Sequence, residues 1–189
     1  MVNIAHNMMS ESTARMGIWG SELCVVLARP TDFESYLSLL EEVAEWLNSR
    51  GVGQLPPGTY GQFADYYAAS IAASEVYVGL IGTSLVGSFR LVHDDRPVWP
   101  DIDDDDSLYL ENLVVRRAWS GRGLGRQLLL WAEQQVSRVR KKYIRLDCFA
   151  NNPVLRKYYE DAGYEAWGEI DACYPFGVLR LQRYQKRLQ

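Results

Sequence analysis

Histidine is almost missing from this chain: His6 and His93 are the two among 189 residues. That argues against a metal centre built on imidazoles and against a triad that needs a His base. Cysteine is nearly as scarce, with Cys24, Cys148 and Cys173 odd in number, widely spread and without a C-x-x-C pair. They read as reduced thiols and not as a disulfide framework. No apolar run approaches the ~18 residues that a membrane span needs. The first twenty residues lack the apolar core of a secretory leader. Twenty basic against 24 acidic residues, for a net charge of −4, exclude the strongly basic footprint of a general nucleic-acid binder. The string G-x-x-x-x-G-K-[ST] does not occur, so a mononucleotide P-loop is excluded. Internal repeats, low-complexity tracts and interdomain linkers are also missing.

What remains has the composition of an ordinary globular enzyme, 48% hydrophobic and 23% charged. We read 1–20 as a mobile N-terminal extension and 21–189 as a single domain, large enough for a full core and expected in the cytoplasm. An apolar strand over 21–28 is closed by Arg29-Pro30. Thr31-Asp32-Phe33-Glu34 reads as a capping box opening a helix that buries Leu37, Leu40, Val43, Ala44 and Leu47. A second helix is expected over 60–73, then a hairpin of strands 75–80 and 85–92 across Gly82-Thr83-Ser84. An acidic loop over 94–106 carries Asp101 and Asp103 to Asp106. Strands at 108–115, 143–149, 164–170 and 178–184, with helices after Gly123 and Asn152, complete about seven strands and four helices. The class is α/β with a mixed sheet, and the 108–149 stretch is a parallel strand–helix–strand unit whose crossover is right-handed.

The stretch 108–129 carries the strongest signal. A strand ending in Val114 and Val115 runs into an Arg-rich turn with Gly121, Gly123 and Gly125 at alternate positions. Leu124, Leu128 and Trp131 then recur at helical spacing. The first N–H groups of a helix lack internal partners, the helix dipole favours an anion there, and glycine permits close approach. Arg116, Arg117, Arg122 and Arg126 add positive charge. This arrangement holds a phosphorylated cofactor. The dinucleotide fingerprint G-x-G-x-x-G competes, with Asp147 at a plausible downstream distance. It fails at its third glycine, which is Arg126, and at the five residues separating strand from turn.

The run L-V-V-R-R-A-W-S-G-R-G-L-G resembles the acyl-CoA loop of the GNAT superfamily of N-acyltransferases, R/Q-x-x-G-x-G/A. It maps onto Ser120, Gly121, Arg122, Gly123, Leu124 and Gly125, and Ser120 departs from the usual Arg or Gln. A second stretch, A-N-N-P-V-L-R-K-Y-Y-E-D-A-G-Y, resembles that superfamily's N-x-x-A-x-x-x-Y-E-x-x-G-F at Asn152, Leu155 (for Ala), Tyr159, Glu160, Gly163 and Tyr164 (for Phe). The resemblance is tight over 108–167. It implies a GNAT-like fold in which the two parallel strands splay and the pantetheine arm enters between them. It also implies acetyl-CoA as co-substrate, no metal, and acetyl transfer to a primary amine by direct attack in a ternary complex. Cofactor contacts then fall to Leu113, Val114, Val115, Ser120, Gly121, Arg122, Gly123, Leu124, Gly125, Arg126, Asn152 and Tyr158.

An amine attacking a thioester needs a base, a polarised carbonyl and an acid for the departing thiolate. By resemblance Tyr159 is the acid, and a backbone N–H near Val114 or Val115 polarises the carbonyl. Glu111 is the candidate base, sharing a face with Val115 by period two, though it could equally be an ion-paired or solvated carboxylate. The acidic loop could attract a cationic substrate or simply be a solvated charge run. Trp46, Tyr66, Tyr67 and Trp99 could line an acceptor pocket or pack in the core. The expected partner is a small-molecule amine, with no nucleic acid and no membrane, and a homodimer is left open. An acyl-CoA-binding protein without turnover is the alternative, suggested by Ser120.

Overall fold

A computed structural model describes residues 14–18, 21–52, 56–174 and 176–188, the first of these segments by its backbone. Among them are eight strands and five α-helices. In chain order these are β1 (Ala14–Ile18), β2 (Ser21–Leu27), α1 (Phe33–Ser49), α2 (Thr59–Gln62), α3 (Ala64–Ala72), β3 (Val76–Ile81), β4 (Ser84–Val92), β5 (Ser107–Val115), α4 (Leu124–Arg138), β6 (Tyr143–Phe149), α5 (Pro153–Asp161), β7 (Glu165–Tyr174) and β8 (Gly177–Arg187). The chain forms two compact units. One takes the described residues up to Leu91 with Asn112–Gln135, the other Val92–Glu111 with the described residues from Val136 onward.

In the first unit β1, β2, β3 and β4 pair antiparallel in sequence order. The strand β1 lies inside the segment expected to be a mobile extension: Ala14 pairs with Val25 and Ile18 with Ser21. The rest of that extension falls outside the described residues. The expected Thr31–Glu34 capping box does not form. Pro30 opens a 3-10 turn one step earlier, and the Asp32 carboxylate accepts the Arg29 N–H at 2.8 Å. Helix α1 buries Tyr36, Leu39, Leu40, Ala44 and Leu47, whereas Leu37 and Val43 are only partly covered. The expected second helix is broken into α2 and α3 at Phe63. Glu41 of α1 holds the start of α2, accepting the Gly58 and Gly61 N–H groups at 2.9 and 2.8 Å. That carboxylate satisfies donors a short helix leaves orphaned, a tertiary contact that no local pattern reveals.

One pair of glycines seats the motif helix. Gly79 and Gly87 face each other across β3 and β4. A Cβ on Gly87 would lie 2.7 Å from Leu128 Cδ1 and 2.9 Å from the Val114 carbonyl; one on Gly79 would lie 3.1 Å from Leu128 Cδ2. The bare backbone is therefore the slot that receives Leu128 of α4. Trp131, a turn further along, packs on the stacked rings of Tyr77 and Phe89.

In the second unit the strand order is β5, β6, β8, β7. β5 and β6 are parallel, as expected, while β8 pairs antiparallel with β6 and with β7. Val92, Val98, Trp99, Tyr109, Ala172 and Leu181 form its core.

Candidate active site

The motif loop lies in the first unit. Gly121 and Gly123 have left-handed φ values of 73° and 77°, which a side chain strongly disfavours. A Cβ at either would meet nothing within 4 Å, so one side of the loop is open to a ligand. The first helical bond of α4 runs from the Gln127 N–H to the Gly123 carbonyl at 3.1 Å. The N–H groups of Leu124, Gly125 and Arg126 consequently have no helical acceptor. The Ser120 hydroxyl donates to the Arg117 carbonyl at 3.0 Å, which gives it a turn-forming job.

The four arginines expected to surround the loop divide their roles. Arg116 is a rivet: Nε donates to the Leu85 carbonyl (2.8 Å), Nη1 to Glu42 (2.7 Å) and Nη2 to the Ser35 carbonyl (3.2 Å). Glu42 also accepts the Arg117 N–H at 2.7 Å, and the Arg117 guanidinium lies 3.5 Å over the Trp46 ring. Arg122 sits 4.8 Å over Trp119. Arg126 has a buried Nη1 without a hydrogen-bond partner. Leu113, Val114 and Val115 are half-buried on β5, and Val114 packs on the core of this unit.

In the second unit the parallel β5–β6 ladder runs from Ser107↔Tyr143 to Leu110↔Leu146 and stops. The next residues of the two strands are Glu111 and Asp147. Asn112 then takes a left-handed φ of 50°, a conformation Asn tolerates better than most residues and one that interrupts a strand's alternation. The period-two argument linking Glu111 to Val115 therefore does not carry across β5. Burial, and then the Glu111 charge, push the Asp147 carboxyl up to about 7. Asp95, at the start of the acidic loop, is pushed to about 8 by burial, then by Glu111 and Asp147. Glu111 was singled out in the sequence; Asp147 served there only the rejected dinucleotide reading, and Asp95 was missed. The register of two adjacent strands was the available signal for Asp147, whereas nothing local marks Asp95.

Tyr159 lies on α5 in the same unit, 6% exposed, its ring against Tyr158, Tyr164 and Tyr184. Burial raises its pKa above the ordinary phenol range, with Cys148, Tyr158 and Asp147 adding to the effect. The phenol is thus protonated throughout the neutral range, and a weaker acid than a free tyrosine. Asn152 is a helix cap: its Oδ1 accepts the Leu155 N–H at 3.1 Å, which leaves the Nδ2 donors for any other role. Tyr158 is half-buried beside Tyr159. Cys148 is buried and its thiol is raised to about 12, which makes it inert as a nucleophile.

The acidic loop is largely a solvated charge run, with the Asp103 and Asp105 side chains 91% and 98% exposed, but its carboxylates from Asp101 onward are ion-paired. Asp101 pairs with Arg183, Asp103 with Arg96, Asp104 with Arg145, Asp105 with Lys141 and Asp106 with Lys142. Arg145 is the main anchor: it grips both oxygens of Asp104 at 3.1 and 2.9 Å, and it holds that carboxyl below its usual range. Trp99 is a core residue, 1% exposed, with Arg145 and Arg183 over its ring. Tyr67 is core, and Tyr66 is exposed, its hydroxyl accepting from Arg90 at 2.8 Å. Among the described residues no helix is long and apolar enough to cross a membrane.

A family model described as the acetyltransferase (GNAT) family matches residues 40–164. The chain belongs to this family and is an acetyltransferase, with the α/β GNAT-like fold and with acetyl transfer from acetyl-CoA as its general chemistry. It is 36% identical over 141 residues to the uncharacterized N-acetyltransferase YesJ of Bacillus subtilis (strain 168), covering 72% of this chain and 78% of that protein. An acetyltransferase of the GNAT family from Listeria monocytogenes 4b F2365 superposes with a TM-score of 0.76 at 27% identity, over 93% of this chain and 100% of that one. The structure of yncA from Salmonella typhimurium with its cofactor acetyl-CoA shares the fold, with a TM-score of 0.64 at 16% identity over 88% and 94% of the two chains.

Proposed function

We propose that this acetyltransferase acetylates a primary amine of a small molecule by direct attack in a ternary complex, with Glu111 as general base and Tyr159 as general acid. The observation that carries the reading is the end of the β5–β6 ladder at Leu110↔Leu146, followed on both strands by a carboxylate. Burial and the Glu111 charge raise Asp147 to about 7 and Asp95 to about 8, so two carboxyls that feel the Glu111 charge exchange protons near neutral pH. That is where a base for a protonated amine is most effective.

Acetyl-CoA supplies an activated acetyl thioester. The residues fit it on two counts: free N–H groups at the start of α4 beside bare glycines, and a buried guanidinium nitrogen without a partner. Leu124, Gly125 and Arg126 offer backbone donors to phosphate oxygens. The left-handed Asn112 diverts β5 and is the basis for assigning carbonyl polarisation to N–H groups near Val114 and Val115. The acidic loop, its other carboxylates ion-paired, turns Asp95 toward Glu111 and Asp147. Tyr159 keeps its proton at neutral pH and gives it to the departing sulfur.

The test is thiol release across a panel of small amines, amino acids and peptides, for the natural chain and Glu111→Gln. Acetylation of small amines, with loss of the ascending pH limb in Glu111→Gln, is expected. Turnover on peptides alone would overturn the acceptor assignment, and an unchanged pH profile would overturn the base.

A further inference from the structure

Asp147 has a cation opposite it that turns away. In the antiparallel β6–β8 ladder Asp147 pairs with Arg183, so the two side chains leave the same face of the sheet with their Cβ atoms roughly 5 Å apart. Opposite charges placed so ordinarily meet, and a carboxyl beside a guanidinium has its pKa lowered by about 1–3. Here Arg183 goes elsewhere. Its Nη1 donates to Asp101 and, at 3.4 Å, to the Val98 carbonyl, and its guanidinium lies 5.1 Å over the Trp99 ring. The side chain is 10% exposed, and its Nε is buried without a hydrogen-bond partner. A buried donor left unmade costs its desolvation, so this placement is held against a local penalty.

One turn of the acidic loop does the holding. The Asp95 carbonyl accepts the Val98 and Trp99 N–H groups at 3.1 and 2.8 Å. That turn presents the Val98 carbonyl, sets the indole against the guanidinium, and is followed two residues later by Asp101. Asp101 stays ionised through the neutral range: burial pushes its carboxyl up, and the hydrogen bond and charge of Arg183 help to more than offset this. Asp147 is then left among groups that repel its charge or do not neutralise it. Glu111 faces it from β5 and Asp95 from the loop. The Tyr159 phenol of α5 and the Cys148 thiol beside it on β6 keep their protons at neutral pH. Arg145, two residues before it on the same face, is bound to Asp104 and Gln185.

We propose that Asp101 is a positioning residue for the reaction: by holding Arg183 on the Val98–Asp101 turn it keeps a cation off Asp147 and Glu111, and so preserves carboxylates able to take a proton from the amine. The inference rests on the carboxylate base assigned above and adds what keeps it basic. A guanidinium swung onto Asp147 would lock that group in an ion pair, and its charge would make the neighbouring carboxylates poorer proton acceptors.

The variants that test this are Asp101→Asn, Asp101→Glu, Arg183→Gln and the Asp101→Asn/Arg183→Gln double, with folding checked by circular dichroism. Carbon-13 titration of the Asp147 carboxyl, its signal assigned through Asp147→Asn, reads the charge without activity; the pH profile of kcat/KM reads the consequence. In Asp101→Asn the Asp147 titration and the ascending limb should both move to lower pH by about 1–2. Asp101→Glu, which keeps the charge, should recover most of the natural behaviour. The double variant should titrate like Arg183→Gln alone, because no guanidinium is left to release. An unmoved Asp147 titration in Asp101→Asn would overturn the proposal, as would an equal shift in the double variant, which would assign it to the lost Asp101 charge. Arg183→Gln by itself should leave the Asp147 titration nearly in place; a rise of about 1 or more would mean that Arg183 already pairs with Asp147, and would overturn the proposal whether or not Asp101→Asn folds. A shifted Asp147 titration with an unmoved limb would instead overturn the carboxylate base itself, leaving the restraint on Arg183 in place.

Discussion

Asp147 faces like charge and burial at the end of the β5–β6 ladder, and replacing it by Asn should make the protein more stable and shift its working pH. The carboxyl is held at about 7 against an ordinary 3.8. That difference sets a ceiling of about 4 kcal/mol on the cost of ionising it in the folded chain. Asp147 keeps some solvent access, which brings the expected figure to about 1–2 kcal/mol. The sign follows from linkage. Between the ordinary aspartate range and pH 7 the folded state binds a proton that the unfolded state has released, so stability is full below about pH 4 and falls as pH rises through 7. Asn carries no charge at any pH and has no such slope. Asp147→Asn should therefore match the natural chain near pH 4 and exceed it by about 1–2 kcal/mol at pH 8, or about 2–8 °C in unfolding temperature for a chain of this size. Asp95 is raised partly by the Asp147 charge, so the ascending limb of kcat/KM should also move to lower pH. The assays are thermal unfolding from pH 4 to 9 and steady-state kinetics over the range where the fold holds. Parallel unfolding curves for the two proteins would refute the argument, because they would mean that Asp147 ionises in the folded state as freely as in the unfolded chain.

Tyr159→Phe keeps the ring among Tyr158, Tyr164 and Tyr184 and removes the proton. Turnover should fall by ~10²–10⁴-fold with acetyl-CoA affinity nearly unchanged, and Tyr158→Phe should lose far less; equal mild losses would make Tyr159 a packing residue. Gly123→Val places a β-branched side chain at φ 77° on the open side of the loop, and CoA binding by calorimetry should disappear while circular dichroism shows an intact fold. Gly87→Ala drives a Cβ to 2.9 Å from the Val114 carbonyl as well as 2.7 Å from Leu128. It should cost about 1–3 kcal/mol by denaturant unfolding. Gly79→Ala, whose contacts at 3.1 and 3.2 Å are side-chain methyl groups, should cost clearly less.

The local chemistry of the two motifs was legible without a structure. Alternate glycines before an apolar helical stripe, and Asn-Pro at a helix start, act through backbone conformation and unpaired N–H groups near in sequence. The open Gly121–Gly123 loop, the Asn152 cap and the parallel β5–β6 pair follow from those rules, as does most of the strand pattern. Tertiary structure decided the charges. Seven aspartates from Asp94 to Asp106 are alike in sequence, but Arg145, Arg183, Lys141 and Lys142 come from segments 36 to 82 residues away and neutralise their partners. Asp95 is left facing Glu111 and Asp147. Likewise four arginines near one loop look equivalent until Glu42, 74 residues before Arg116, claims one side of the loop and Arg126 is left unmatched. A side chain's charge is written in the sequence; its partner is set by which strands and helices the fold brings beside it, because Coulomb and hydrogen-bond energies depend on distance in space.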